Sequence, residues 1–254
     1  MRNDYSGSFA FRTDIGKVRQ SNEDQAFVGM GASGEAFLVV CDGMGGANKG
    51  DVASKIAVDS LASSFKRKHR HLLAASDRFW ITKATKTANR AIFNEAESNP
   101  AYKGMGTTMV AALISGRRLL IANIGDSRAY VLKDGRLRQL TEDQTYVQYL
   151  LNTGKITPEQ ALSHPERHVL MNALGINPSV SLTLSSRPYR GETLLLCSDG
   201  VYNSIPVPAI ETILSTDERA DQKAMSLINE ANANGGSDNE GVAYWEASIH
   251  DSRR

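Results

Sequence analysis

The stretch Phe37-Leu38-Val39-Val40-Cys41-Asp42-Gly43-Met44-Gly45-Gly46 constrains the fold more than any other part of the chain. An apolar run with adjacent β-branched valines reads as a strand buried on both faces. It stops at a carboxylate, and the glycines beyond let the backbone turn sharply and approach a ligand closely. Hard oxygen ligands on such a turn suit Mg²⁺ or Mn²⁺. Asp-Gly is equally a hairpin signal, so this stretch alone leaves both readings open.

Two more apolar runs end in the same way. Arg118 to Ile124 leads into Gly125-Asp126-Ser127-Arg128, and Thr193 to Cys197 leads into Ser198-Asp199-Gly200. Asp238 stands just before a last strand, Val242 to Ile249. In antiparallel sheets the end of one strand and the start of its neighbour share an edge, so these carboxylates can converge. Uncompensated, they would repel one another and hold their protons more tightly. Divalent cations relieve that repulsion. With no Cys/His ligand cluster, the expected chemistry is a two-metal oxygen site that activates water for in-line displacement at phosphorus.

The rest of the chain supplies layers around those strands. Ser8 to Arg12 and Gln25 to Val28 read as strands, separated by the polar run Arg19-Gln20-Ser21-Asn22-Glu23-Asp24, which is also what a solvated loop looks like. Gly29-Met30-Gly31-Ala32-Ser33-Gly34 matches a dinucleotide fingerprint in letters only, because a strand follows it where that motif opens a helix. Helices are expected over Asp51 to Phe65 and Asp77 to Glu97, then strands over Thr107 to Ile114, Arg128 to Leu132 and Arg136 to Leu140. Residues 142–177, broken by Gly154, Pro158 and Pro165, read as an inserted surface subdomain. Strand pattern resumes at Val180 to Leu184, and two helices, Pro208 to Ser215 and Glu218 to Asn234, precede the final strand. One domain over 1–254 is expected, since no linker, repeat or low-complexity tract interrupts it.

Composition excludes several classes. Lys+Arg of 29 against Asp+Glu of 28 leaves a net charge of +1, so no bulk field favours nucleic acid or an anionic membrane. The basic run Lys66 to His71 suits a helix C-terminus and has no interleaved aromatics. The first residues lack a signal-peptide core, and no apolar run approaches the about 20 residues of a membrane span. Cys41 and Cys197 are too few for a disulfide scaffold and read as small buried hydrophobes, so a cytoplasmic location is expected.

Arg19 with Asn22-Glu23-Asp24, Asp42-Gly43-Met44-Gly45-Gly46, Gly106-Thr107-Thr108, Gly125-Asp126-Ser127-Arg128, Ser198-Asp199-Gly200 and Asp238-Asn239 occur in an order that resembles the PPM-type (type 2C) metal-dependent protein serine/threonine phosphatases. The Met44 form of the turn is similar to the bacterial branch. Each motif alone is weak; together they cover nearly the whole chain.

The resemblance implies an α+β fold, a four-layer α-β-β-α sandwich with residues 142–177 as a flap. It implies that Asp42 bridges two Mn²⁺ or Mg²⁺ ions, with Gly43 offering its carbonyl. Asp199 and Asp238 would complete one ion's shell, and Glu23 would support the other, largely through water. Asp126, with Asp199, would hold a third ion, and Arg19 would bind the substrate phosphate. Expected substrates are phosphorylated proteins of a bacterial Ser/Thr kinase, and the expected state is a monomer. Two alternatives accompany this reading: a regulatory phosphatase dedicated to one partner, and a catalytically weak phosphoprotein-binding module. The chain also departs from the family's pattern. Met44 cannot donate a proton where many eukaryotic relatives have His. Ala47 and Asp143-Gln144-Thr145 replace other bacterial motifs, and Glu240-Gly241 replaces β-branched residues. His164 before Pro165 matches a flap histidine of the family, or is a loop hydrogen-bonder.

Overall fold

The computed structural model describes residues 5–32, 34–45, 49–68 and 74–248. Gly46, Ala47, the His69 to His71 end of the basic run and Ile249 lie outside the described residues. One sheet runs β1 (Gly7–Asp14), β11 (Glu240–Ala247), β10 (Thr193–Cys197), β7 (Arg128–Lys133), β8 (Arg136–Gln139). The other runs β2 (Asp24–Met30), β3 (Ala36–Met44), β5 (Met109–Ser115), β6 (Arg118–Ile124), β9 (Thr183–Pro188), with the short β4 (Gly106–Thr107) paired to the end of β3. The strand pairings in both sheets are antiparallel.

The doubly apolar strands explain the layering. On β3, Phe37, Val39 and Cys41 face α1 (Gly50–Lys66) and α2 (Ala74–Ser98), while Leu38 and Val40 face the other sheet. On β10, Leu194 and Leu196 join Leu38 in that inter-sheet core. Leu195 and Cys197 point outward to α5 (Asp199–Ser204), α6 (Val207–Leu214) and α7 (Ala220–Ala233). Successive side chains on a strand alternate faces, so a strand apolar at every position requires cover on both sides. The result is the α-β-β-α sandwich.

Among the differences from the sequence reading, three bear on packing or on the site. The strand expected over Thr107 to Ile114 breaks at Thr108. There the hydroxyl accepts from Asp42 N at 2.9 Å and shares a hydrogen bond with Ser127 Oγ at 2.7 Å. The strand expected at Val180 to Leu184 instead forms at Thr183–Pro188, where it registers against Arg118 to Asn123; Val180 and Leu182 pack on the helical core. A short helix, α5, begins at Asp199 itself, with Ser198 as its N-cap residue. Its six residues, Asp-Gly-Val-Tyr-Asn-Ser, are weak helix formers, so pattern alone does not reveal it. No helix among the described residues is long and apolar enough to cross a membrane.

The inter-sheet core sets stability. Leu38 is fully buried in it, so Leu38→Ala is expected to lower unfolding free energy by about 2–5 kcal/mol. Leu162 is 82% exposed, and Leu162→Ala should change it by less than about 0.5 kcal/mol. Urea unfolding of both variants checks the contrast.

Candidate metal centre

The sandwich opens at one edge into a cavity of about 750 Å³. Arg19, Glu23, Asp42, Gly43, Asp126, Asp199 and Asp238 all line it. Their positions follow from the strand ends. Asp42 sits near the end of β3, where Thr108 N and Thr107 Oγ1 both donate to its carbonyl at 2.8 Å. Asp126 follows Gly125, whose φ of +91° is a turn that a larger residue would strain. Asp199 opens α5, and Asp238 is fixed through Asn239, whose amide donates to Ile15 O and Ser21 O at 2.9 Å. Asn239 Oδ1 in turn accepts from Glu23 N at 2.9 Å. Gly43 has room for no side chain, because an added Cβ would strike the Gly50 backbone and Glu23 O.

One carboxylate that the sequence reading left without a role lies deepest. Asp24 is fully buried and stands directly opposite Asp42 across the β2–β3 pair. Ser198 Oγ donates to Asp24 Oδ2, and the same Oγ accepts from Gly241 N at 2.8 Å. Asp24 Oδ1 has no hydrogen-bond partner. The only signal in the sequence was its place in the Asn22-Glu23-Asp24 run; its burial follows from the β2 register.

Of the two readings of His164 left open by the sequence, the structure shows the loop hydrogen bond. His164 does not line the cavity: its Nδ1 accepts from Glu166 N at 3.2 Å, and its ring meets Tyr146 edge-on. The cavity histidine is His168.

The base of the 142–177 segment is tied to the site. Arg128 donates to Asp143 from Nε at 2.9 Å and from Nη2 at 2.6 Å, and lies over the Tyr202 ring at 3.7 Å. Tyr202 OH donates to Asp126 O at 3.1 Å. Gln144 exchanges hydrogen bonds with Gly125 and accepts from Asn172 Nδ2 at 2.8 Å, joining both ends of the segment to the Asp126 turn. Beyond that base, α3 (Tyr146–Asn152) and α4 (Pro158–Leu162) are short.

The electrostatics are those of crowded negative charge. Burial, then the charges of Asp199 and Asp238, push Asp24 up to about 8. Asp42 is driven well above the usual carboxylate range by burial and then by Asp24, Asp199, Asp126 and Asp238. Burial and Asp199 raise Asp126 to about 7. Asp199 is raised by burial and Asp238, against the opposing pull of His168 and Arg19. Glu23 is raised, chiefly by burial.

These groups fit divalent cations by chemistry. Every donor is a hard oxygen, burial and mutual repulsion make the carboxylates hold protons, and one buried oxygen, Asp24 Oδ1, is orphaned. Among the described residues no three such side chains are already gathered as a ligand set. Asp238 Oδ2 is instead taken by Arg19 Nη2 at 2.7 Å.

Comparison with known proteins agrees with this chemistry. Residues 16–230 match the family described as protein phosphatase 2C. The chain belongs to that family. It is 41% identical over 240 residues to the serine/threonine phosphatase Stp of Listeria welshimeri, covering 94% of this chain and 95% of that one. The serine/threonine phosphatase Stp1 of Staphylococcus aureus superposes with a TM-score of 0.89 at 33% identity, covering 98% of each chain. The catalytic domain of the phosphatase PstP, solved in complex with two manganese ions, superposes at 0.82 with 37% identity, covering 95% of this chain and 98% of that one.

A raised carboxyl pKa destabilises the folded state at high pH. Between the ordinary 3.8 and about 8, folded Asp24 keeps a proton that the unfolded chain releases, so stability falls as pH rises through that window. Metal-free protein is therefore expected to melt at progressively lower temperature across it, and added Mn²⁺ should flatten the slope. Thermal unfolding with and without Mn²⁺ measures both.

Proposed function

We propose that this metal-dependent phosphatase of the protein phosphatase 2C family hydrolyses phosphoserine and phosphothreonine in bacterial signalling proteins, using a dinuclear Mn²⁺ or Mg²⁺ centre. The carrying observation is the convergence of Asp42, Asp126, Asp199 and Asp238 on one cavity with Arg19 at its rim. Asp42 would bridge the two ions with help from the Gly43 carbonyl; Asp199 and Asp238 would serve one and Glu23 the other. Asp126 and Asp199 would take a third. When bound, the ions supply Lewis-acid activation of water and neutralise charge on the phosphoryl oxygens.

The chain's own residues do the rest. Arg19 offers the planar donor fork suited to phosphate. Its partner, Asp238, is a proposed ligand, so phosphate and metal binding together would release that ion pair. The departing serine or threonine oxygen needs a proton. Met44 has none to give, whereas the His168 imidazole lines the same cavity and can donate one. Asp24, below Asp42, would hold the bridging carboxylate in place through the β2–β3 pair.

The flap reading has support of another kind. Leu162, Val169 and Met171 are exposed, and the segment carries only short helices beyond its anchored base. Such segments belong to the locally unstable end of a structure, where substrate-facing lids are found. We read the whole chain as one domain, because one inter-sheet core unites strands from both sheets. Expected substrates come from a bacterial Ser/Thr kinase, and the protein acts as a cytoplasmic monomer in this reading.

Three outcomes test it. Hydrolysis of p-nitrophenyl phosphate should require Mn²⁺ or Mg²⁺ and be abolished in Asp42→Ala and Asp238→Ala, with folding checked by circular dichroism; activity in chelator would reject the metal mechanism. Arg19→Ala should raise KM by about 10-fold or more while changing kcat less, as expected for loss of a charged phosphate contact. Exchanging residues 145–176 for a relative's segment, with His168 kept, should change rates on phosphoproteins far more than on the aryl phosphate. Equal losses would assign the segment to the metal site instead.

A further inference from the structure

A second cavity, of about 390 Å³, lies on the outer helical layer between α1 and α2. No residue lines both it and the metal cavity. Ser60, Ser64 and Arg67 form one wall; Trp80, Lys83 and Thr87 form the other. Lys68 contributes the end. Among the described residues, no carboxylate lines it.

Among the described residues, its charge is only partly cancelled. Lys68 Nζ, almost fully buried, is held by Asp77 Oδ1 at 3.1 Å and Glu35 Oε1 at 3.7 Å, and Arg118 Nη2 also meets Asp77 at 3.0 Å. Those two cations and two carboxylates balance. Asp59 on α1 is taken by Lys55 at 3.0 Å. Among the described residues, neither Arg67 nor Lys83 has an ion-pair partner, which leaves the groove with two positive charges. A helix dipole favours cations after α1, accounting for Lys66 and Arg67. It does not account for Lys83 in the middle of α2. Ser64 Oγ accepts from Trp80 Nε1 at 3.1 Å, so its own proton is free to be donated into the groove.

We propose that this groove binds a phosphate monoester or free phosphate as a dianion, with Arg67 and Lys83 on opposite sides and the Ser64 hydroxyl donating between them. Two cations and hydroxyl donors match a compact dianion with several acceptor oxygens. The volume lies within the range of small-ligand pockets, from about 300 Å³ upward.

Trp80 is a built-in reporter. The chain has two tryptophans, and Trp245 is fully buried between the sheets, so Trp245→Phe leaves Trp80 as the sole indole. Metal-free Trp245→Phe protein, dialysed free of chelator, would be titrated with inorganic phosphate at constant ionic strength. Wild-type protein, in which only Trp80 borders a cavity, gives the same reading should Trp245→Phe fail to fold. The expected result is a saturable emission change, weakened about 10-fold or more by Arg67→Ala or Lys83→Ala, each of which removes a charged contact. It should persist in Arg19→Ala, and Mn²⁺-supported hydrolysis of p-nitrophenyl phosphate should be unchanged in Arg67→Ala and Lys83→Ala. A phosphoserine peptide binding more tightly than phosphate identifies a phosphoprotein as the source; equal affinity identifies the free ion. No saturable change, the same change with chloride, or loss in Arg19→Ala with retention in the groove variants would overturn the proposal.

Discussion

Everything at the metal cavity depends on one cross-strand pair. The β2–β3 register sets Asp24 against Asp42, one carboxylate wholly buried and the other at the cavity floor. Two such groups cannot both ionise without positive charge beside them, and Asp126, Asp199 and Asp238 add to the deficit. The nearby cation, Arg19 at the rim, is exposed, so screening weakens what it supplies. The fold keeps this arrangement because the strands carrying it are locked in an apolar core on both faces. Burial of Leu38, Val40, Leu194 and Leu196 between the sheets offsets the cost of gathering carboxylates at their ends. Stability is spent where binding energy will later be recovered, a general property of sites that hold strain until a ligand relieves it.

How much of this is legible in the sequence depends on whether a feature is periodic. The strands ending at Asp42, Asp126 and Asp199 are apolar at consecutive positions, so their double cover and the sandwich follow from alternation alone. A glycine beside each carboxylate, after Asp42 and Asp199 and before Asp126, marks the turn. Asp24 is illegible by the same logic. It opens β2 from a polar run that reads as solvated, and only the register against β3 shows that its side chain is enclosed. α5 escapes because a short helix of weak formers carries no periodicity, although Ser198 ahead of Asp199 is an N-cap signal. That His168 rather than His164 lines the cavity depends on how a loop folds back over it. Neither hydrophobic pattern nor spacing encodes that.

Rigidity is divided across the molecule in a way that bears on mechanism. Metal ligands must hold their separations closely, and the residues proposed for that role sit at the ends of strands or beside Asn239, whose amide fixes two loops at once. Recognition of varied phosphoproteins asks for the opposite. The segment after Asp143 accordingly has short helices and exposed apolar side chains, yet its base is held firmly by Arg128 and Gln144. Arg128 joins Asp143 at the base to Tyr202 on α5, and Tyr202 reaches the backbone of Asp126. A guanidinium can do this because its edge and its face are separate binding surfaces. Lysine would have to choose one. In the proposed flap role, the segment would change shape over the cavity while its attachment point, and the Asp126 carboxylate beside it, stay where the chemistry needs them.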